Sequence, residues 1–459
     1  MKSKISKLSA ILIAGLMLIG LLPVYADGEI PIDEAHFPDE NFRDFILNGY
    51  DSTTEVKIDT DGNGSLSEEE LTAVIDLSIY ELNIADLTGI ELFTALTVLD
   101  CDTNDLTKLD LSSNTALVCL MCEENLLTAL DLSNNPELQV LDCYENQLTG
   151  LDLSNNPALE ELYCSDNQLT ELDVSNNPEL TELDCGDNQI TELDVSNNPK
   201  LTDLYCYSDR LTELDLSENN ELVCLYFGDN PLTDPDQPLE TLSEEAAENL
   251  CWLGCDGLGL TEIDVSPYIW LEGLDCHENL LTRLDVSNNP ELMWLDCSSN
   301  RLTSLDLSCN YELTDFDCSM NAYPVPASPF DLTGLPDGFD VNKASNWHGG
   351  SVEGNILTFN EGNTNVDYTY DCGNYQKVQF SLYISDEEPV PEPTAEPEPT
   401  AEPEPTAEPE PTAEPEPTAE PEPTAEPGTP ETGFVGFAGI GACALLAGAG
   451  IMLFRKKRQ

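Results

Sequence analysis

Basic residues are scarce in this 459-residue chain: 16 lysines and arginines stand against 89 aspartates and glutamates, a formal net charge of −73. A surface of that sign repels phosphate backbones and anionic lipid, which argues against nucleic acid as a partner. Histidine is scarcer still, with only His36, His277 and His348. No H-E-x-x-H, nucleophile elbow or phosphate loop occurs, and carboxylates are so frequent that no single pair stands out. The expectation is a protein that is not an enzyme. Long apolar runs are also missing between the two ends, so whatever core the chain builds must come from short apolar stretches that recur.

They recur at a fixed interval. One inward position returns eleven times, as Cys101, Cys122, Cys143, Cys164, Cys185, Cys206, Phe227, Cys255, Cys276, Cys297 and Cys318, at steps of 21 residues apart from one of 28. Self-similarity of this period marks a solenoid of stacked rungs. Around Leu138 the unit is Leu138, Leu141, Cys143, Asn146 and Leu148, the leucine-rich-repeat spacing with cysteine in the third apolar slot. Leu141 and Cys143 are two apart, so in a strand they share a face. Asn146 recurs as Asn104, Asn125, Asn167, Asn188, Asn230, Asn279, Asn300 and Asn321, where a side-chain amide can satisfy buried turn backbone. The alternation in Leu151-Asp152-Leu153-Ser154 and its copies reads as a second extended piece, and predicts a second sheet for the opposite wall.

The fold expected is mainly β: a leucine-rich-repeat solenoid of about eleven 21-residue rungs over residues 76–321, with a small helical N-terminal cap over 27–75 and a β-rich C-terminal cap over 322–386. In the N-terminal cap, Asp39 to Leu47 suits a helix, as does Ser67 to Ile75 with Ser67 as N-cap. The extra seven residues of the long step lie within Asp234 to Leu250, where Ser243 to Asn249 reads as one or two helical turns. The C-terminal cap draws on the alternating runs 356–359, 366–370 and 378–383.

Sixteen cysteines in a secreted chain ordinarily suggest disulfides. Ten of these sit in core slots whose side chains point the same way on neighbouring strands rather than at each other. Buried thiols serving as small apolar fillers is the better reading. Cys119, Cys224, Cys251, Cys309 and Cys372 lie off that column and are the candidates for any real bridge.

Residues 1–26 carry Lys2, Lys4 and Lys7, an apolar run from Leu8 to Leu22, then Val24-Tyr25-Ala26, the layout of a secretory signal peptide. Residues 387–428 form a stalk in which Glu392 to Pro427 is six copies of E-P-T-A-E-P; at about 3.1 Å per residue in polyproline II, it reaches roughly 110 Å. Residues 429–459 run Thr429-Pro430-Glu431-Thr432-Gly433, an apolar span from Phe434 to Phe454, then Arg455-Lys456-Lys457-Arg458. The span is long enough to cross a bilayer in the precursor, with the basic tail cytoplasmic.

This last order resembles the sorting signal of Gram-positive surface proteins. The resemblance implies that a sortase-type transpeptidase cleaves between Thr432 and Gly433 and joins Thr432 to peptidoglycan, although the family usually has leucine where this chain has Thr429. Signal, cap, repeats, stalk and sorting signal together resemble internalin-like, leucine-rich-repeat cell-surface proteins of Gram-positive bacteria. The 21-residue unit and cysteine column depart from that pattern, so no family ligand carries over.

Two places carry chemistry. Asp59-Thr60-Asp61-Gly62-Asn63-Gly64-Ser65-Leu66-Ser67-Glu68-Glu69-Glu70 fits the EF-hand loop at every defined position. Asp59, Asp61 and Asn63 would give side-chain oxygens to calcium, Ser65 its carbonyl, Ser67 a water-mediated contact and Glu70 both carboxylate oxygens. Val56-Lys57-Ile58 ahead of it looks extended, so this is a lone hand with a structural ion. The second place is the outward, concave side of the main sheet, which collects Tyr144, Tyr163, Tyr205, Tyr207 and Tyr226 with Asp100, Asp142 and Asp184. Exposed aromatics beside acids suit a basic protein or a hydroxyl-rich glycan on another cell, with Trp294 and His277 extending the surface. The like charges of Asp110, Asp131, Asp152, Asp173, Asp194 and Asp215, one strand apart, should raise their pKa values unless cations or hydrogen bonds intervene. The function expected is cell-surface binding and adhesion; the alternative is a structural spacer without a specific ligand.

Overall fold

The computed structural model describes residues 29–385, so the signal peptide, the whole stalk and the sorting signal with Thr432 and Gly433 lie outside the described residues. Twelve three-residue strands, from Asp76–Ser78 to Asp315–Asp317, form one parallel sheet in which each strand pairs with the next in sequence. Register follows the repeat: Leu141 faces Leu162 and Asp142 faces Tyr163, while across the long step Cys224 faces Trp252. The sheet has one more rung than the cysteine column shows, because Ile79 fills the cysteine slot of the first strand and is fully buried.

The L-x-C alternation places leucine and thiol inside. Leu141, Cys143, Leu162, Cys164, Leu183 and Cys185 are all 0% exposed. All fifteen described cysteines are free thiols, including the off-column Cys119, Cys224, Cys251, Cys309 and Cys372, so the candidates for bridging are not bridged. Burial pushes the column thiols well above their ordinary range, as at Cys143, which keeps them as inert filler.

Just past each thiol the chain turns through a left-handed residue, such as Glu124 (φ 48°), Glu145 (φ 48°) and Asp166 (φ 52°). The asparagine that follows holds the turn. Asn146 Nδ2 donates to the carbonyls of Cys122 (2.9 Å), Cys143 (3.2 Å) and Tyr144 (3.3 Å), while its Oδ1 accepts from Leu127 N–H (3.0 Å). One amide thus ties its own turn to the preceding rung.

The opposite wall is not a second sheet. Among the described residues Leu151–Ser154 and its copies form no strand ladder. Asp152 Oδ1 instead accepts from Ser154 N–H at 3.0 Å, and Asn156 N–H bonds to Leu153 O at 3.0 Å, so the segment curls into tight turns. A second asparagine file joins these turns: Asn156 Nδ2 donates to Leu132 O (3.2 Å) and Asn135 O (2.9 Å), and the pattern repeats at Asn177 and Asn198. The alternation correctly put leucine inside and aspartate outside, but the aspartate takes a backbone donor that a sheet would have used.

Both ends are capped. The helix Glu40–Asn48 starts at Asp39, whose side chain accepts from Asn41 and Phe42 N–H, and buries Phe42 and Ile46. The helix Glu68–Ala73 starts at Ser67 with a complete capping box to Glu70, and ends two residues short of Ile75. In the long step Glu244–Asn249 is helical from Ser243, preceded by a turn of helix at Gln237–Thr241 that the sequence reading missed. The C-terminal cap places Ile356–Phe359, Asn365–Gly373 and Gln376–Ile384 as strands. It seals the last rungs through Tyr368 Oη, which donates to Thr303 O at 2.6 Å, and Leu307 N–H, which donates to Cys372 O at 2.7 Å. No helix among the described residues is long and apolar enough to cross a membrane.

Candidate functional site

The outward face of the main sheet has two parts with different chemistry. Toward the N-terminal rungs it is a file of carboxylates, and several are not exposed as the sequence suggested: Asp142 is 9% and Asp184 2% exposed. Long neighbours on adjacent strands cover them. Tyr163 is itself 5% exposed, its hydroxyl 3.4 Å from Glu161 Oε2. Burial is the main cause of the upward pKa shifts here, against opposing hydrogen bonds: Asp184 rises to about 7 despite accepting from Gly186 N–H and Ser165, and Glu182 also to about 7. Asp142 and Glu123 move up for the same reason, reinforced at Asp142 by the charges of Asp184, Asp102 and Asp100 and at Glu123 by those of Asp142, Asp102 and Asp100. Asp100 is half-buried and shifted upward as well.

From Tyr205 onward rings stand among the acids. Tyr205 and Tyr226 stack at 5.5 Å with 19° between their planes, and Trp252 and Trp294 lie 6.5 Å apart, one strand between them. The rings fit because neighbouring strands have no Cβ beneath them. A Cβ on Gly254 would fall 2.1 Å from the Tyr226 ring, one on Gly273 2.1 Å from Trp252 and one on Gly186 2.9 Å from Tyr207. Tyr205, Tyr207, Tyr226, Trp252 and Trp294 are half-buried, each lying against the sheet with part of its ring facing outward. Tyr144 is likewise half-buried, with its hydroxyl 3.3 Å from Glu124. Of the aromatic positions named from sequence, only Tyr163 is withdrawn from the surface. Trp252 was missed, although its place two residues before Gly254 and three before Cys255 gives it the same outward direction as Trp294.

His277 sits beside this ring row. Its Nδ1 is 2.6 Å from Asp275 Oδ1 and its Nε2 3.9 Å from Asp256 Oδ2, both aspartates being 2% exposed at the side chain. The bond to Asp275, opposed by burial and helped by Asp256 and Asp296, raises the imidazole to about 9. It is therefore an imidazolium at neutral pH, the local counter-charge to a buried carboxylate pair.

The file of Asp110, Asp131, Asp152, Asp173, Asp194 and Asp215 on the turn wall behaves as hydrogen-bonded turn chemistry. Asp152, Asp173 and Asp194 shift downward, first through the side chains and then through the backbone N–H groups of Ser154, Ser175 and Ser196. At Asp152 and Asp194 those local donors outweigh the repulsion from Asp173.

The loop at 59–70 is closed by its own side chains. Asp59 Oδ1 accepts from Gly62 N–H (2.8 Å) and Asn63 N–H (3.2 Å), and its Oδ2 from Gly64 N–H (3.0 Å). Gly62 and Gly64 have φ of 70° and 79°, and Asn63 Oδ1 accepts from Ser65 N–H at 2.7 Å. Carboxylate oxygens of Asp59, Asp61 and Glu70 lie within 4.8 Å of one another. Burial would raise Glu70, but donors from Ser67 and Thr60 bring it down to about 2, so it is ionised and aimed inward. Ser65–Leu66 pairs antiparallel with Ile30–Pro31. This hard, all-oxygen donor set fits calcium.

A family model of leucine-rich repeats, in two copies, matches residues 136–177 and 157–198. Over 79 residues the chain is 41% identical to internalin J of Listeria monocytogenes, a stretch that is 17% of this chain and 8% of that protein's length. The solved functional domain of internalin J from the same organism, described as including a cysteine ladder, is 27% identical over 79% of this chain and 100% of that one, with a TM-score of 0.44. A leucine-rich-repeat protein of Leptospira interrogans gives a TM-score of 0.50 at 23% identity, over 56% of this chain and 69% of that one. With twelve stacked parallel strands on a 21-residue repeat and the repeat-family match over residues 136–198, the chain folds as a leucine-rich-repeat solenoid, similar over a 79-residue stretch to internalin J.

Proposed function

We propose that this is a non-enzymatic cell-surface binding protein that receives a protein or glycan ligand on the ring-bearing half of its main sheet. The observation that carries this reading is the ring row itself. Tyr207, Tyr226 and Trp252 each lie over a glycine of the adjacent rung, and half-exposed aromatic faces beside carboxylates suit cationic side chains or sugar rings. A spacer needs rungs, but gains nothing from rings laid over glycines.

Calcium at Asp59, Asp61, Asn63, Ser65, Ser67 and Glu70 belongs to the same reading as a structural ion that rigidifies the N-terminal cap. Cleavage by a sortase-type transpeptidase between Thr432 and Gly433, with attachment to peptidoglycan, would place the solenoid at the end of its Pro-Glu-Thr-Ala stalk.

The test uses beads coated with the chain on cell layers. Tyr205→Ala, Tyr226→Ala and Trp252→Ala combined should abolish adhesion while the melting temperature of the protein stays close to the parent's. Undiminished adhesion by the folded triple variant favours the spacer. Salt separates the ligand classes: adhesion to a basic protein weakens steeply as ionic strength rises, whereas adhesion to a neutral glycan does not.

A further inference from the structure

The asparagine file beside the strands is broken once by charge. At every other rung with a polar residue there, from Asn104 to Asn321, the side chain is an amide; in the seventh strand's rung it is Asp209. The neighbouring rungs define what that position must do. Asn188 Nδ2 donates to the carbonyls of Cys164 (3.0 Å), Cys185 (2.9 Å) and Gly186 (3.2 Å), and Asn230 Nδ2 to those of Cys206 (2.7 Å), Phe227 (3.0 Å) and Gly228 (3.3 Å). Asp209 keeps the accepting half of this role, with Oδ1 taking Ile190 N–H at 3.1 Å as Asn188 Oδ1 takes Leu169 N–H at 2.9 Å. Its other oxygen, Oδ2, occupies the place of the amide nitrogen, in a setting built for a donor.

That oxygen is buried without a hydrogen-bond partner, in a residue only 6% exposed. An ionised carboxylate there would set its lone pairs against carbonyl lone pairs in a dry interior, an unfavourable arrangement that a proton between them relieves. The groups facing it worsen the conflict. Asp187 and Asp184 add negative charge from the sixth rung, and the buried thiols of Cys164, Cys185 and Cys206 surround the site without supplying a cation.

We propose that Asp209 is a proton-binding site built into the asparagine file: the neutral carboxyl donates its proton from Oδ2 to a turn carbonyl, and loss of that proton to solvent removes the donating half of the tie between the sixth and seventh rungs, leaving the bond from Ile190 N–H to Oδ1. The seventh rung carries Tyr205 and Tyr207, so protonation of Asp209 governs how firmly the start of the ring row is held. Burial, offset by the Ile190 and Asn188 N–H donors and reinforced by Asp187 and Asp184, raises the carboxyl to about 7. The folded value lies above the unfolded one, so the contribution is fully present in acid and is lost as pH rises through neutrality.

The experiment compares the full chain with Asp209→Asn, which restores the amide, and with Asn188→Asp, which moves the defect one rung away. Melting is followed from pH 5 to pH 9 together with the infrared band of protonated carboxyl groups. Asp209→Asn should melt roughly 2–4 °C above the parent at pH 8, with the gap closing toward pH 5, and should lose intensity in the protonated-carboxyl band at pH 6. Asn188→Asp should acquire an added fall in melting temperature above neutral pH. A gap between Asp209→Asn and the parent that is absent or independent of pH, or a protonated-carboxyl band that Asp209→Asn leaves unchanged, overturns the proposal. Because these readouts need no ligand, they stand or fall separately from the adhesion reading.

Discussion

The outward face from Asp100 to Asp184 and the same face from Tyr205 to Trp294 share one backbone, one register and one leucine-cysteine interior, yet they solve opposite problems. In the first half, charges of one sign recur on strands about 4.8 Å apart, and packing of neighbours over them raises their pKa values. In the second half, Tyr205 and Tyr226 take that register and Trp252 and Trp294 stand at the start of their strands, beside acids such as Asp275 and Asp296, and the adjoining strands supply glycine beneath Tyr226 and Trp252. The solenoid therefore fixes where a side chain points, while the neighbour one rung away decides whether it is covered, strained or presented.

The largest effects should be shared by both halves, which is the control on the comparison. Leu183→Ala under the acids and Leu253→Ala under the rings each remove a fully buried side chain and should each cost about 2–5 kcal/mol by chemical denaturation. Losses that differ greatly between the two would show that the halves diverge in the core as well as at the surface.

Next in size comes the pH response, which should separate the halves. Asp184 has a folded pKa near 7, raised by burial above its ordinary 3.8. Its stabilising contribution is complete below the unfolded value and disappears as pH climbs through 7. Asp184→Asn retains an acceptor for Gly186 N–H and should stabilise the chain at pH 8 by about 1–3 kcal/mol, with little gain at pH 4. His277 gives the ring half the opposite balance of charge: it is raised to about 9 chiefly by its bond to Asp275. The stability this bond lends is present below the unfolded histidine value and is lost as pH passes through 9, so His277→Gln should leave its deficit visible at pH 7 and much reduced at pH 10, read by melting curves.

Smaller again is the cost of filling a glycine slot. Gly273→Ala places a methyl 2.1 Å from the Trp252 ring; the half-exposed ring can swing outward, so the stability loss should be only about 1 kcal/mol while adhesion falls sharply. The least effect is expected at the left-handed turn. Glu145 holds φ at 48° where the long rung uses Gly257 at 66°, so Glu145→Gly should change stability by less than about 1 kcal/mol, relief of strain being offset by greater freedom of the unfolded chain.

Much of this organisation was readable from residue spacing. Leucine and cysteine two apart gave the strand and its inner face, Asn146 and its copies gave the turn ties, and Asp39 and Ser67 marked both cap helices, because each depends on contacts within one rung or one turn. What spacing could not show was set between rungs. Leu151 to Ser154 alternates like a strand, but Asp152 captures Ser154 N–H and the buried Asn156 amide then holds the turn. Tyr163, Asp142 and Asp184 point outward as expected, yet side chains one rung away bury them. Trp252 gained meaning only with Gly273 beneath it, 21 residues later. The first strand escaped notice because Ile79 does the work of cysteine there.

The claim that the ring half is the docking face is tested most directly by photo-crosslinking. A photoreactive phenylalanine analogue is placed at position 226 in one protein and at position 155, on the opposite wall, in another, and each is illuminated on cells that bind the chain. A covalent adduct is expected from position 226 and none from position 155; adducts from 155 alone, or equal capture from both, would rule out docking on the ring half.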